Sequence, residues 1–187
     1  MERAIALSER SLTLPRVTAV ILGAAFVAAA AQIAVPLPGT PVPMTLQPLA
    51  VLLVGGLLGA RLGATSMVLY LALGIAGLPV FTPTVPLLGI ARLLGPTGGY
   101  LLAYPVAAWV VGATVRDGRE WARVALGVLA GLALIHLGGL AQLAILTGNV
   151  SAAARLGTLP FLLGDLGKLA VAAAVLTTLT PAVRARL

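Results

Sequence analysis

No cysteine occurs in the 187 residues, which excludes thiolate metal ligands, thiol nucleophiles, redox pairs and any disulfide scaffold. Histidine occurs once, as His136, and carboxylates number five. A multi-ligand zinc or di-iron site needs more donors than that, and no metal or cofactor is expected. Charge is the larger deficit. Asp, Glu, Lys and Arg make up 9% of the chain, against roughly 25% in an average soluble domain, too few to cover a water-facing surface. Aromatics are sparse at 4%, whereas 60% of residues are hydrophobic, so disorder is excluded too. The composition is that of a membrane protein. A net charge of +7 would raise nucleic acid in a soluble chain. Here the basic residues stand singly or in threes between apolar stretches, without a basic stripe or interleaved aromatics.

Crossing a bilayer core of about 30 Å takes roughly 20 apolar helical residues. Six stretches qualify, at approximately 17–35, 45–60, 62–78, 98–115, 122–146 and 159–183. The expected fold is all-α: a six-transmembrane-helix bundle forming a single integral membrane domain over residues 1–187. No repeat, linker or soluble domain interrupts it. The second and third stretches share Gly59-Ala60-Arg61-Leu62-Gly63, leaving room for only a very short turn. Alanines in the first stretch suit a signal-peptide cleavage site, but the segment before it is long for such a leader and includes Glu2 and Glu9, which favours a span.

Basic residues orient the bundle. Nine of the twelve fall on one side: Arg3, Arg10, Arg16, Arg61, Arg116, Arg119, Arg123, Arg184 and Arg186. The opposite loops hold only Arg92 and Arg155, and Lys168 lies within the sixth stretch. Arginines collect in short cytoplasmic loops, so both the N and C termini are expected to be cytoplasmic, with loops one, three and five facing outward from the cell membrane.

The first outward loop packs Pro36, Pro38, Pro41 and Pro43 into eight residues, removing backbone donors and favouring stiff, extended chain. It reads as a rigid connector or as the wall of a pocket, with Thr45 and Gln47 offering hydrogen bonds from the head of the second helix. The third loop, from Pro79 to Gly98, is long and apolar and is expected to fold down onto the bundle. Its single charge, Arg92, reads either as a headgroup anchor or as the receptor of an anionic ligand. The Gly95-Pro96-Thr97-Gly98-Gly99 turn offers backbone N–H groups at the head of the fourth helix.

Asp165 and Lys168 lie inside the sixth stretch, on one helix face at i, i+3 spacing. Ionisable groups at that depth cost several kcal/mol unless paired or set against a polar cavity. They read as a mutual ion pair, or as a pocket with one acceptor and one cation for a ligand bearing N–H groups and a carboxylate. Gly164-Asp165-Leu166-Gly167-Lys168 is not a phosphate loop, because Leu162 and Leu169 occupy the positions that need Gly and Ser or Thr. Energy for uphill transport must come from a partner or an ion gradient.

His136 lies mid-span with no acid near it in sequence and reads as a hydrogen-bonded packing residue. Ser66 lacks a nucleophile-elbow setting, and an enzyme is not expected. Gly55, Gly59 and Gly63, and Gly127 with Gly131, read mostly as internal packing. The alanine pairs Ala24/Ala28 and Ala25/Ala29 read as packing or as a docking face for another membrane subunit.

Four segments together carry a family resemblance. They are Ile33-Ala34-Val35-Pro36-Leu37-Pro38-Gly39-Thr40-Pro41-Val42-Pro43-Met44-Thr45-Leu46-Gln47, Gly74-Ile75-Ala76-Gly77-Leu78-Pro79-Val80-Phe81, Leu94-Gly95-Pro96-Thr97-Gly98-Gly99-Tyr100-Leu101, and Pro160-Phe161-Leu162-Leu163-Gly164-Asp165-Leu166-Gly167-Lys168. In this order they resemble BioY, the biotin-specific substrate-binding (S) component of energy-coupling factor transporters, over approximately residues 17–183. The resemblance implies a six-helix protein that captures biotin from the outer side. It also implies partnership with a transmembrane coupling subunit and two cytoplasmic ATPases. It assigns Asp165 and Lys168 to the vitamin site, Thr45 and Gln47 less specifically, and the alanines around Ala24, Ala25, Ala28 and Ala29 to partner docking.

Biotin suits the residues at hand. Its ureido N–H groups can donate to Asp165, and its carboxylate needs a cation, Lys168 or Arg92. Its apolar parts can lie against Phe81 and Tyr100. The rival reading is an autonomous proton-coupled secondary transporter with Asp165 or His136 as carrier, although no internal repeat of the kind common in such proteins is visible. One departure from the family stands in the third loop, where Thr82-Pro83-Thr84-Val85-Pro86 replaces the usual glycines and stiffens the segment.

Overall fold

Leucine- and alanine-rich runs punctuated by glycine and proline set the helices and their ends. The computed structural model describes residues 14–187; the N-terminal arginines Arg3 and Arg10 lie outside them. Helix α1 (Leu14–Gln32) leads into a short antiparallel ribbon, β1 (Ala34–Val35) with β2 (Met44–Thr45), in which Ala34 faces Thr45 and Val35 faces Met44. Then come α2 (Gln47–Leu58), α3 (Ala60–Ile75), α4 (Ile90–Leu94), α5 (Gly98–Val115), α6 (Trp121–Thr147) and α7 (Val150–Gly157). A 3₁₀ turn (Leu159–Phe161) precedes α8 (Leu162–Arg184).

Among the described residues, four stretches are long and apolar enough to cross a membrane: Leu14–Gln32, Gly98–Val115, Trp121–Thr147 and the C-terminal Val150–Arg184. The second and third expected spans are shorter apolar helices of 12 and 16 residues, about 18 and 24 Å at 1.5 Å per residue. Local chemistry explains the shortening of α2. Thr45 is taken into the ribbon, and Gly59, at φ 87°, makes the whole turn between α2 and α3. That conformation is open to glycine at little cost. At the other boundaries, α1 ends where the ribbon and its proline-rich connection begin, and α8 starts beyond Pro160, which sits in the 3₁₀ turn.

Helix α2 is the axis of the bundle. It touches α1, α3, α5, α6 and α8, and every residue from Ala50 to Gly56 is buried. Small residues permit this. Gly55 lies against the backbone of Ala108 on α5, Gly63 lies against Gly55, and Gly112 meets the Gly59–Ala60 backbone. Gly131 seats Val111 and Leu52, and Gly127 sits beside Val115 and Thr114, so both glycine motifs are internal packing. The interface of α5 with α6 is the most extensive in the bundle and closes to backbone contact where Gly99 meets Gly138.

The alanines of α1 divide. Ala24 is buried with Val20, Val27 and Ala31, and Ala28 is partly buried, while Ala25 and Ala29 are exposed. At 100° per residue the alanines at 24, 25, 28 and 29 span about 140° of the helix surface; within this chain Ala24 and Ala28 lie on its inward edge and Ala25 and Ala29 on its outward edge.

The two ends of the bundle differ. At one end Arg184 donates through Nε and Nη2 to the Gly56 carbonyl at 3.1 and 2.7 Å, and through Nη2 to Gly112 at 3.1 Å. These are carbonyls at the ends of α2 and α5 that the helices leave unpaired. Arg16 donates to the Leu187 carbonyl at 2.9 Å nearby. At the other end lie the proline-rich connection, α4 and α7. Thr40 Oγ1 donates to the Leu156 carbonyl at 2.6 Å, tying the connection to α7. The long third loop folds down in part: Phe81 and Leu93 are buried, while Leu88, Ile90 and Leu94 stay exposed.

Replacing Gly99 by Leu places a side chain against the Gly138 backbone. Overpacking of this kind costs about 1–3 kcal/mol. The detergent-purified variant is expected to unfold at lower temperature than the unaltered chain, whereas Ala29→Leu on an exposed face leaves the melting temperature unchanged.

Candidate functional site

The loop-bearing end encloses a cavity walled by β2, α2, the third loop, α4, α5, α6 and α8. It has about 50 Å³ open to the centres of water molecules, room for a few waters. Six of the residues singled out from sequence border it: Thr45, Gln47, Arg92, Tyr100, Asp165 and Lys168.

Asp165 stands in the first turn of α8 at 4% exposure, with Lys168 one turn on at 7%. Lys168 Nζ donates to Asp165 Oδ1 at 2.9 Å. The other oxygen, Oδ2, lies 2.6 Å from His136 Nε2 on α6. The ion-pair and pocket readings of Asp165 and Lys168 are therefore compatible: the pair forms, and both members border the cavity. His136 is hydrogen-bonded, as its sequence reading had it. It has an acid partner, brought from 29 residues further along the chain. Spacing along one helix does not reveal which residue of another helix lies opposite; the only signal was the rarity of an ionisable group at mid-span.

Arg92 is not a headgroup anchor. It is 1% exposed, and its guanidinium donates to the Val85 carbonyl at 2.6 Å and the Thr82 carbonyl at 3.0 Å. Its Nε has no partner, and no carboxylate among the described residues pairs with it. Burial draws the guanidinium below the usual arginine range. The Thr82–Val85 stretch is thus wrapped around this cation, with the carbonyls of both end residues turned inward.

Gln47 is fixed from both ends. Thr45 Oγ1 donates to Gln47 Oε1 at 3.2 Å, and Gln47 Nε2 donates to the Tyr70 hydroxyl at 2.6 Å. Thr45 Oγ1 also accepts from the Gln47 backbone N–H at 3.2 Å. Tyr100 donates its hydroxyl proton to the Gly157 carbonyl and sets its ring edge-on to His136, with centroids 6.2 Å apart.

Phe81 is the exception. It is absent from the cavity wall. Its ring fills the slot left by Gly74 and meets Tyr70 edge-on at 5.4 Å between centroids, so it buttresses the wall from behind while its neighbour Thr82 reaches the cavity. The Gly95–Gly99 turn is held from α6. Gln142 Nε2 clamps it by donating to the Leu93 and Gly95 carbonyls at 2.8 and 2.7 Å, and Thr97 is its member at the cavity. Tyr104, Ile135 and Phe161 complete the wall and were not singled out from sequence, since apolar and aromatic residues inside spans carry no distinguishing pattern. Ser66 lies apart, donating to the Leu62 carbonyl at 2.9 Å.

Helices apolar on every side, packed around a small cavity that a buried ion pair borders, define an α-helical membrane protein. Comparison with known proteins places it further. The model of the BioY family matches residues 5–185, and the chain belongs to that family. It is 42% identical to a probable biotin transporter BioY of Pyrococcus horikoshii, covering 83% of this chain and 90% of that one. To the biotin transporter BioY of Thermotoga maritima it is 36% identical, over 81% and 87%. A crystal structure of the S-component for biotin from an ECF-type ABC transporter superposes with a TM-score of 0.80 at 26% identity, over 89% of this chain and 90% of that one. These relatives are named as transporters, not as enzymes.

Removing the guanidinium frees the Thr82 and Val85 carbonyls. A hydrogen bond from a charged donor contributes about 2 kcal/mol, so in Arg92→Ala the amides of residues 79–94 should exchange with deuterium roughly thirtyfold faster. Exchange in α6 serves as the unaffected reference.

Proposed function

We propose that the chain is the biotin-binding specificity subunit of an ATP-driven vitamin importer in the cell membrane, and that the cavity is where biotin is held. One observation carries this reading. The cavity combines a buried carboxylate already neutralised by Lys168 with a second buried cation, Arg92, that has no counter-charge among the described residues. A ligand that donates N–H groups at one end and brings a carboxylate at the other satisfies both. Biotin does so through its cyclic urea and its valerate. Because Lys168 is occupied by Asp165, Arg92 is the cation better suited to the carboxylate, and Thr45, Gln47 and Tyr100 complete the polar wall.

The helices behind the wall are close-packed through glycine, so admission of biotin displaces the loop-borne side, at Val42, Pro43 and Thr82. The path into the site is thereby assigned to the first and third loops.

We read α1, α2, α3, α5, α6 and α8 as six spans of a single domain with both termini cytoplasmic. Support comes from the gathering of Arg16, Arg116, Arg119 and Arg184 at the end opposite the cavity, which the positive-inside rule makes cytoplasmic. The cavity then opens outward. No phosphate-binding loop occurs in the chain, so the energy comes from partners, a transmembrane coupling subunit and two cytoplasmic ATPases. The outward alanines Ala25 and Ala29 are the pair available to such a subunit.

Titration of the purified chain with biotin tests the reading. Asp165→Asn removes the charge that strengthens these hydrogen bonds and leaves Lys168 unpaired. Affinity should fall on the order of 100-fold while the variant still elutes as a folded protein; unchanged affinity removes Asp165 from the site. Leucine at Ala25 and Ala29 should spare biotin binding and block uptake with the ATPase partners. Uptake by vesicles holding this chain alone, collapsing with an uncoupler, would make it a proton-driven carrier instead.

A further inference from the structure

We infer that Tyr104 is a ligand-contacting residue whose hydroxyl donates to the ligand carboxylate beside Arg92. The inference rests on the reading of the cavity as a biotin site. It adds to that reading a neutral, directional donor at the acid end of the ligand.

Tyr104 stands in the second turn of α5. Long helical side chains lean toward the N terminus of their helix, and α5 begins at the loop-bearing end, so the residue leans toward the cavity and forms part of its wall. Tyr70 holds the ring from one side, with centroids 6.4 Å apart and planes inclined by 29°. The residue is 3% exposed. Its hydroxyl makes no hydrogen bond among the described residues, whereas those of Tyr70 and Tyr100 are bonded to Gln47 and Gly157. Yet the oxygen is not one of the unpartnered side-chain atoms sealed from water, as Arg92 Nε and Thr97 Oγ1 are. For a phenol set among packed helices, the open side is the cavity that it lines.

The other hydroxyls of the wall are committed or closed off. Thr45 donates to Gln47, Thr82 shares a bond with Thr84, and Tyr100 donates to Gly157, while Thr97 Oγ1 is sealed. Charge decides which end of the ligand the remaining one meets. Arg92 is the charged group whose field reaches Tyr104, whereas Asp165 is the one that reaches Tyr100. Tyr104 therefore belongs to the arginine end of the cavity, where the ligand carboxylate is assigned. A phenol keeps its proton at neutral pH and donates it, and an ionised carboxylate only accepts. A bond to an ionised acceptor is about twice as strong as one between neutral groups. Water in the cavity can take this proton before a ligand arrives, so the hydroxyl is satisfied in both states and strengthens its bond when the carboxylate replaces the water.

The test titrates the purified chain and its Tyr104→Phe variant with two ligands, biotin and an analogue whose tail ends in a methyl group in place of the carboxylate. The variant loses one oxygen and keeps the ring beside Tyr70. Its affinity for biotin should fall about tenfold or more, while its affinity for the methyl analogue stays unchanged. Equal losses for the two ligands would place the hydroxyl at another part of biotin, and unchanged biotin affinity would remove it from the site; either overturns the inference. The chain has three tyrosines, so ¹³Cζ-tyrosine labelling gives a second readout on the unaltered protein, with the Tyr104 resonance assigned by its loss in the variant. Biotin should move that resonance toward the position of a phenol bonded to an anion; an unmoved resonance at biotin saturation overturns the inference. Failure of the unaltered chain to bind biotin at all would instead bring down the functional reading, and the Tyr104 assignment with it.

Discussion

Among the described residues, Asp165 is the one carboxylate inside a helix long and apolar enough to cross a membrane, and the loop-bearing end of the bundle is organised around pairing it there. Removing a carboxylate from water costs several kcal/mol even after relaxation. Lys168 supplies the opposite charge from one turn along the same helix, and His136 supplies a donor from α6. Hydrogen bonds to an ionised group contribute about 1.5–3 kcal/mol each, so the two together offset the desolvation only while both partners stay in place. That requirement fixes the register of α6 against α8 and leaves a polar patch that must face a cavity and not lipid.

The opposite requirement governs the rest of the bundle. Apolar helices gain nothing from hiding apolar faces in lipid, so their association depends on packing distance. Glycines at 55, 63, 99, 112 and 138 bring backbones to the closest approach they allow, and α2 can be short because five neighbours surround it. This rigid packing accounts for the division of labour between elements. The helix walls of the cavity cannot yield without losing contacts, while the proline-rich connection and the third loop are held by a few specific bonds, Thr40 to Leu156 and Arg92 to Thr82 and Val85. Arg92 thus has two tasks in one position. It holds the loop in shape through its carbonyl contacts and borders the cavity with no carboxylate paired to it among the described residues.

Much of this was legible in the order of residues, for identifiable reasons. Low charge and six apolar stretches gave the class, because bilayer thickness and the cost of buried charge act on any sequence alike. The i, i+3 spacing predicted the Asp165–Lys168 pair, because helix geometry is fixed once the segment is helical. The single-residue turn at Gly59 and the internal role of the glycine motifs followed from steric rules of the same local kind. What was not legible has a common origin. Phe81 was placed with the cavity because it is aromatic and lies in the right loop, but the slot at Gly74 draws it away. The four alanines of α1 were grouped by spacing, and only contact with α2 and α3 decides which pair turns inward.

The sparse charge by itself determined that this is a membrane protein and that Asp165 must be paired, since both follow from transfer energies and single-helix geometry. Which side chains meet across helices was decided only by the tertiary structure. His136 acquires its acid, Arg92 its carbonyl cage without a counter-charge, and Tyr100 its fixed ring because glycine contacts set the depth and rotation of each helix against the next. Those distances depend on the packing of the whole bundle, and no local pattern along the chain encodes them.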